Sequence, residues 1–161
     1  MNTLEYAINM ELDSIIYYSE QARININNSL LTVCLILAND EINHARILRD
    51  KLSKMPYELK DNETLSKVKN VFKGIGNYKS EIKAIPSQLD FYRMALEKEK
   101  QSIDLYTEFL AKATDDHEKD LFKYLVKQEE DHYALLDELV TLLLHAEEWV
   151  EFAEFGVRKE Y

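Results

Sequence analysis

Cys34 is the only cysteine, and proline and glycine occur just two and three times in 161 residues. A lone thiol excludes an intrachain disulfide and any metal site built on several cysteines. So little Pro and Gly leaves few turns, and with 46% apolar and 31% charged residues this points to a mostly helical chain. Positive charge is also scarce: 20 Lys and Arg against 30 Asp and Glu give a formal charge of −10. Nucleic acid and anionic membrane are therefore poor partners. No apolar run approaches the roughly 20 residues of a membrane helix. The opening MNTLEYAINMELD has acidic residues where a secretion signal needs an apolar core. The expectation is one cytoplasmic domain over residues 1–161, long enough to bury a full core.

What is present is helical periodicity. Leu4, Ile8, Glu11, Ile15, Tyr18 and Ala22 alternate steps of four and three, which predicts a first helix over about 3–24. Leu30, Cys34, Leu37, Glu41, His44 and Leu48 predict a second over 29–52, capped by Asn28 or Ser29 and stopped before Pro56. A crossover over 55–90 follows. Asn62 can cap a short helix there, carrying Leu65, Val68, Phe72 and Ile75, with Gly74 and Gly76 closing it. Pro86 and Ser87 lead into a third helix over 88–113, with the stripe Tyr92, Leu96, Glu99, Ile103, Tyr106 and Leu110. A break at Thr114 to Asp116 precedes a fourth over 117–145, with Phe122, Leu125, Glu129, His132, Leu136 and Leu143. The tail, 146–161, reads as a separate short amphipathic helix with Trp149, Phe152 and Phe155 on one side.

One pattern occurs twice. Adding 88 to Glu11, Glu41 and His44 gives Glu99, Glu129 and His132. Each half thus offers a lone Glu and, 30 residues on, a Glu-x-x-His. Residues three apart on a helix lie about 60° apart in projection, so the Glu and His of each motif point the same way. All six occupy the apolar stripe, where an unpaired carboxylate is costly. Metal coordination removes that cost. Such a set is the donor complement of di-iron and di-manganese carboxylate bundles, built from two helical hairpins joined by a long crossover. Glu11 and Glu99 then read as terminal ligands, Glu41 and Glu129 as bridges, and each His as the cap of one ion. The repeat extends beyond the ligands: AINMELDSIIYYSE aligns with ALEKEKQSIDLYTE and implies a pseudo-twofold axis.

Tyr18 and Tyr106 each follow the lone Glu by seven residues, two turns along the same face. They read either as core tyrosines or as donors to a ligand carboxylate on a facing helix. Asp40 can accept the free ring N–H of His132, or else stand solvated on its helix. Gln128 holds the matching place and could orient His44 as a neutral partner. Cys34 reads as a buried filler, and Glu20 and Glu108 as surface residues on the opposite face.

These motifs, together with ALEKEKQSIDLY and QEEDHYALL, resemble the rubrerythrin-like branch of the ferritin-like superfamily over nearly the whole chain. The resemblance implies an all-α ferritin-like four-helix bundle with a centre of two Fe ions, Mn being compatible with the same donors. It also implies reduction of hydrogen peroxide or oxygen in oxidative-stress defence, and a homodimer. Rubrerythrins proper append a rubredoxin domain, which one cysteine excludes here, so the electron donor is expected to be a separate protein such as a rubredoxin. Many members also carry an extra carboxylate beside the lone Glu of the third helix. Here Ser102 stands one turn on, and Glu97 points about 200° away from Glu99. The alternatives are ferritin-like iron oxidation and storage, or oxidation or hydroxylation of an organic substrate.

Overall fold

The computed structural model describes residues 2–27, 30–73 and 85–159, with side-chain surroundings defined within 2–27, 30–71, 89–141 and at 144. Five helices run through these residues, without a strand among them: α1 (Thr3–Ile24), α2 (Leu30–Leu52), α3 (Thr64–Lys73), α4 (Ile85–Lys112) and α5 (Asp116–Lys159). α1 packs along α2 and α4 along α5, while α3 lies in the crossover against α2 and α5. This is the ferritin-like bundle that the spacing and the repeat predict.

The helix ends follow local chemistry. Asn2 Oδ1 accepts from Glu5 N at 2.8 Å while Asn2 N donates to Glu5 Oε2 at 3.2 Å, a capping box that starts α1. α2 closes through Met55 N to Asp50 O (2.8 Å) and Lys54 N to Lys51 O (3.1 Å). That pairing is a Schellman stop, and it places Lys54 at φ 58, a conformation glycine adopts more easily. Asn62 Oδ1 accepts from Thr64 N at 3.3 Å where α3 begins, and Asp115 Oδ1 from Glu118 N at 2.8 Å where α5 begins.

Two boundaries differ from expectation. α4 starts at Ile85 rather than 88, because a proline is tolerated in a first turn whose N–H groups have no helical partner. The tail is not a separate helix. α5 runs unbroken from Asp116 to Lys159, since LLLHAEEWVEFAEF is rich in helix formers and holds no Gly, Pro or cap to stop it. The expected cap at Asn28 or Ser29 and the glycine stop at Gly74 and Gly76 lie outside the described residues. So do the side chains of Trp149, Phe152 and Phe155.

Among the described residues the core is two apolar clusters. One contains Tyr18, Val33, Cys34, Leu37, Tyr92, Ala95, Leu135 and Leu136. The other contains Ala7, Ile8, Ile47, Leu48, Tyr106, Leu121, Phe122 and Leu125. The 88-residue shift exchanges them: Val33, Cys34 and Leu37 map onto Leu121, Phe122 and Leu125, and Ile47 and Leu48 onto Leu135 and Leu136. Along α1, α2, α4 and α5, the residues separating the clusters are Glu11, Glu41 with His44, Glu99, and Glu129 with His132. A polar belt therefore crosses the middle of the bundle, sealed by hydrocarbon at both ends.

Candidate metal centre

The six side chains of the repeated motif converge in that belt, none more than 2% exposed. Each faces inward because it replaces an apolar residue in the stripe of its helix. They form two quartets in which one donor atom from each residue lies within 4.8 Å of the others: Glu11, Glu41, His44 and Glu129, and Glu41, Glu99, Glu129 and His132. Glu41 and Glu129 belong to both. Glu41 turns Oε2 to His44 Nδ1 at 3.2 Å and Oε1 to His132 Nδ1 at 3.0 Å. Glu129 does the same with Oε1 at 3.2 Å from His44 Nδ1 and Oε2 at 3.4 Å from His132 Nδ1. Each of these carboxylates spans the gap between the imidazoles. Glu11 and Glu99 each serve one side, 3.7 Å from His44 Nδ1 and 3.4 Å from His132 Nδ1 respectively.

Despite these short approaches, several of the buried atoms make no hydrogen bond of proper geometry: Glu41 Oε1, Glu99 Oε2, both oxygens of Glu129, and His132 Nδ1. Buried polar atoms are ordinarily paired, and leaving one unpaired costs roughly 1–3 kcal/mol, more if charged. The orphans are all hard oxygen or imidazole donors aimed at one another, which is what a pair of iron or manganese ions requires. The donor set fits a dinuclear metal site.

Charge in the belt is balanced by protons. Burial pushes Glu41 up, and the carboxylates of Glu11 and Glu99 add to it, giving about 8. Burial and the charges of Glu41 and Glu99 likewise hold Glu129 well above the carboxylate range. Burial also pushes Glu11 and Glu99 upward, but there it is outweighed. Glu41, His44 and Tyr106 bring Glu11 to about 2, and His132, Glu129 and Tyr18 lower Glu99. Burial pulls both histidines down, yet the carboxylates around them win and raise both well above 6.5. This pattern sums two imidazolium ions, two carboxylates and two neutral carboxyls to zero. Two divalent cations with four carboxylates and two neutral imidazoles also sum to zero. Four protons can thus be exchanged for two cations without stranding charge in the core.

The residues around the six are as specific. Tyr18 Oη donates to Glu99 Oε1 and Tyr106 Oη to Glu11 Oε1, both at 2.5 Å, each tyrosine reaching from one hairpin to the other. Tyr106 leaves Glu11 Oε2 as the oxygen nearer His44, whereas Tyr18 bonds the same Glu99 oxygen that approaches His132 Nδ1. Asp40 Oδ2 lies 2.8 Å from His132 Nε2. Gln128 Oε1 lies 3.1 Å from His44 Nε2. An acceptor at each Nε2 keeps a proton there and turns Nδ1 toward the cluster, where it offers a lone pair once its own proton has been displaced.

Two further residues carry no sequence signal for this role. Thr64 Oγ1 donates to Asp40 Oδ2, and Asn62 Nδ2 donates to Gln128 Oε1 at 2.6 Å. Asn62 reads from sequence only as a helix cap, and Thr64 as nothing in particular. Cys34 packs in an apolar cluster, where burial pushes its thiol up to about 12. Glu20, Glu108 and Glu97 are not buried, as their places off the stripe require. Ser102 is buried, and its hydroxyl donates to Lys98 O at 3.2 Å, so no carboxylate enters the belt from that turn.

Among known proteins, a family model described as Rubrerythrin matches residues 2–140, a span containing α1 to α4, α5 as far as residue 140, and all six belt residues. No curated protein and no solved structure matches the chain.

Proposed function

This chain belongs to the rubrerythrin family, and we propose that it is a di-iron oxidoreductase that reduces hydrogen peroxide or oxygen. Glu11, Glu41, His44 and Glu129 would hold one ion, and Glu99, Glu129, Glu41 and His132 the other. The observation that carries this reading is the position of Glu41 and Glu129, each turning one buried oxygen toward either histidine. A purely structural bundle gains nothing from two spanning carboxylates in its core. When bound, a ferrous pair supplies Lewis acidity and two electrons, enough to convert hydrogen peroxide and two protons into two waters.

The chain's own groups have separable tasks. Tyr18 and Tyr106 fix the rotamers of Glu99 and Glu11 through one hydrogen bond each. Asp40 and Gln128 hold the histidines with Nε2 protonated and Nδ1 directed inward. The apolar clusters above and below keep bulk water from the belt, which strengthens every charge interaction inside it. Within these 161 residues no cysteine pair can relay electrons, so we assign the donor role to a separate protein such as a rubredoxin.

The test is anaerobic reconstitution with ferrous iron, metal analysis, and stopped-flow oxidation followed by ferric absorption. Two irons per chain, oxidised by about one equivalent of hydrogen peroxide and faster than by oxygen, support the peroxidase reading. A chain that binds no iron, or whose ferrous form reacts with neither oxidant, overturns it.

A further inference from the structure

Position 40 and its repeat partner 128 are where the two halves of the belt stop matching. Every inner donor has its copy: Glu11 and Glu99, Glu41 and Glu129, His44 and His132. The group behind each histidine does not. His132 Nε2 is backed by the Asp40 carboxylate at 2.8 Å, and His44 Nε2 by the Gln128 amide oxygen at 3.1 Å. Asp40, Gln128 and Thr64 are all buried, so solvent does not average the difference away.

We infer that this mismatch makes the two cation positions unequal, and that the first divalent ion settles in the cradle of Glu41, Glu99, Glu129 and His132. The inference rests on the proposed dinuclear reading and adds the order in which its positions fill. A carboxylate behind an imidazole raises the basicity of the nitrogen facing the metal and adds negative charge close to the ion. A neutral amide does the first weakly and the second not at all. Loss of such a partner typically costs 10–100-fold in metal affinity, which sets the expected gap between the two positions.

The start of α3 enforces the difference. Thr64 Oγ1 donates to the Asp40 oxygen that faces His132, fixing that carboxylate in place. Asn62 Nδ2 donates to Gln128 Oε1, so the amide turns its oxygen rather than its NH2 to His44. Asn62 and Thr64, next-but-one neighbours in the crossover, thus grip the outer partners of both histidines. The crossover occurs once in the chain, so the twofold repeat cannot extend to it. Asp40, Gln128, Asn62 and Thr64 are positioning residues, acting on the ions through the two imidazoles.

The experiment is a calorimetric titration of the metal-free full chain with Mn(II), which uses the same donors and is stable in air. Two steps separated by about tenfold or more are expected. D40N should lower the affinity beside His132 by about 10–100-fold, so that the gap between the two steps closes or the order of filling reverses. Q128E should pull the second step toward the first. Crystals grown with one equivalent of Mn(II) should show the anomalous signal beside His132. A first ion beside His44, two indistinguishable steps, or steps unmoved by D40N overturns the inference while leaving a dinuclear centre intact. Failure to bind any Mn(II) overturns the metal centre and the inference together. Should D40N lose its helical circular dichroism, Q128E decides alone, and unchanged steps in that variant count against the inference.

Discussion

Adding 88 to a residue number carries Leu37 onto Leu125, Tyr18 onto Tyr106 and Glu41 onto Glu129, and all six side chains are buried near the bundle axis. The same addition carries Asp40 onto Gln128, Lys60 onto Glu148, and the capping Asn2 onto Asp90, where it opens no helix. The two hairpins agree where packing and coordination constrain them and diverge one layer further out. A twofold arrangement of inner donors therefore needs only a narrow band of each helix to be duplicated, while the surroundings are free to make the halves unlike.

The most severe way to break the likeness is to remove a carboxylate shared by both quartets. E41A and E129A should each abolish binding of both ions, measured as metal per chain after reconstitution. E11A and E99A should each lose only the ion on their own side. Retention of two metals in E41A or E129A would remove those residues from the spanning role.

Proton release tests the halves for equal contributions. Glu41 and His44 in one half, and Glu129 and His132 in the other, are all raised above their usual values, so both halves hold on to protons that a cation must displace. These groups must shed protons to bind cations, so affinity falls as pH falls. The overall constant for two ions should therefore rise with pH, including through the region near 8 where Glu41 gives up its proton. A pH-stat or calorimetry in buffers of different ionisation enthalpy counts the protons released.

Core substitutions at matched sites probe the two clusters. L37A and L125A are each expected to cost about 2–5 kcal/mol, read by thermal unfolding of the metal-free chain. Their difference should be small beside either cost. The gentlest comparison is Y18F against Y106F. Each removes a buried hydroxyl bond to a carboxylate, about 1.5–3 kcal/mol, and unlocks one terminal ligand. Parallel losses of metal affinity are expected, and an effect confined to one tyrosine would show that the terminal ligands are not equivalent.

Much of this arrangement is legible in the sequence, for identifiable reasons. α1 runs from Thr3 to Ile24 as its periodicity predicts, because its stripe and its caps coincide. The belt residues stand out because a charged residue in an apolar stripe conflicts with burial unless something compensates, and the conflict recurs at a fixed shift. Helical projection places Tyr18, Tyr106 and Asp40 close to those positions but leaves open whether they pack as core or solvated residues or bond to the belt. The hydrogen bonds to Glu99, Glu11 and His132 decide for the latter. The reach of α5 is not legible by apolar pattern, because its far end changes composition without gaining a stop signal. Nor is the role of Asn62 and Thr64. Their partners lie 66 and 24 residues away, and contacts that bridge a crossover leave no period in the chain.

Neither quartet can be assembled within a single hairpin: the first draws on α1, α2 and α5, the second on α2, α4 and α5. Cations seated there would act as rivets between the two hairpins, and prising the bundle apart would mean surrendering them. Resistance to unfolding should then track the ambient metal supply, gaining about 2.7 kcal/mol when free metal stands a hundredfold above its dissociation constant. Scarcity would loosen the scaffold itself as well as silence its chemistry.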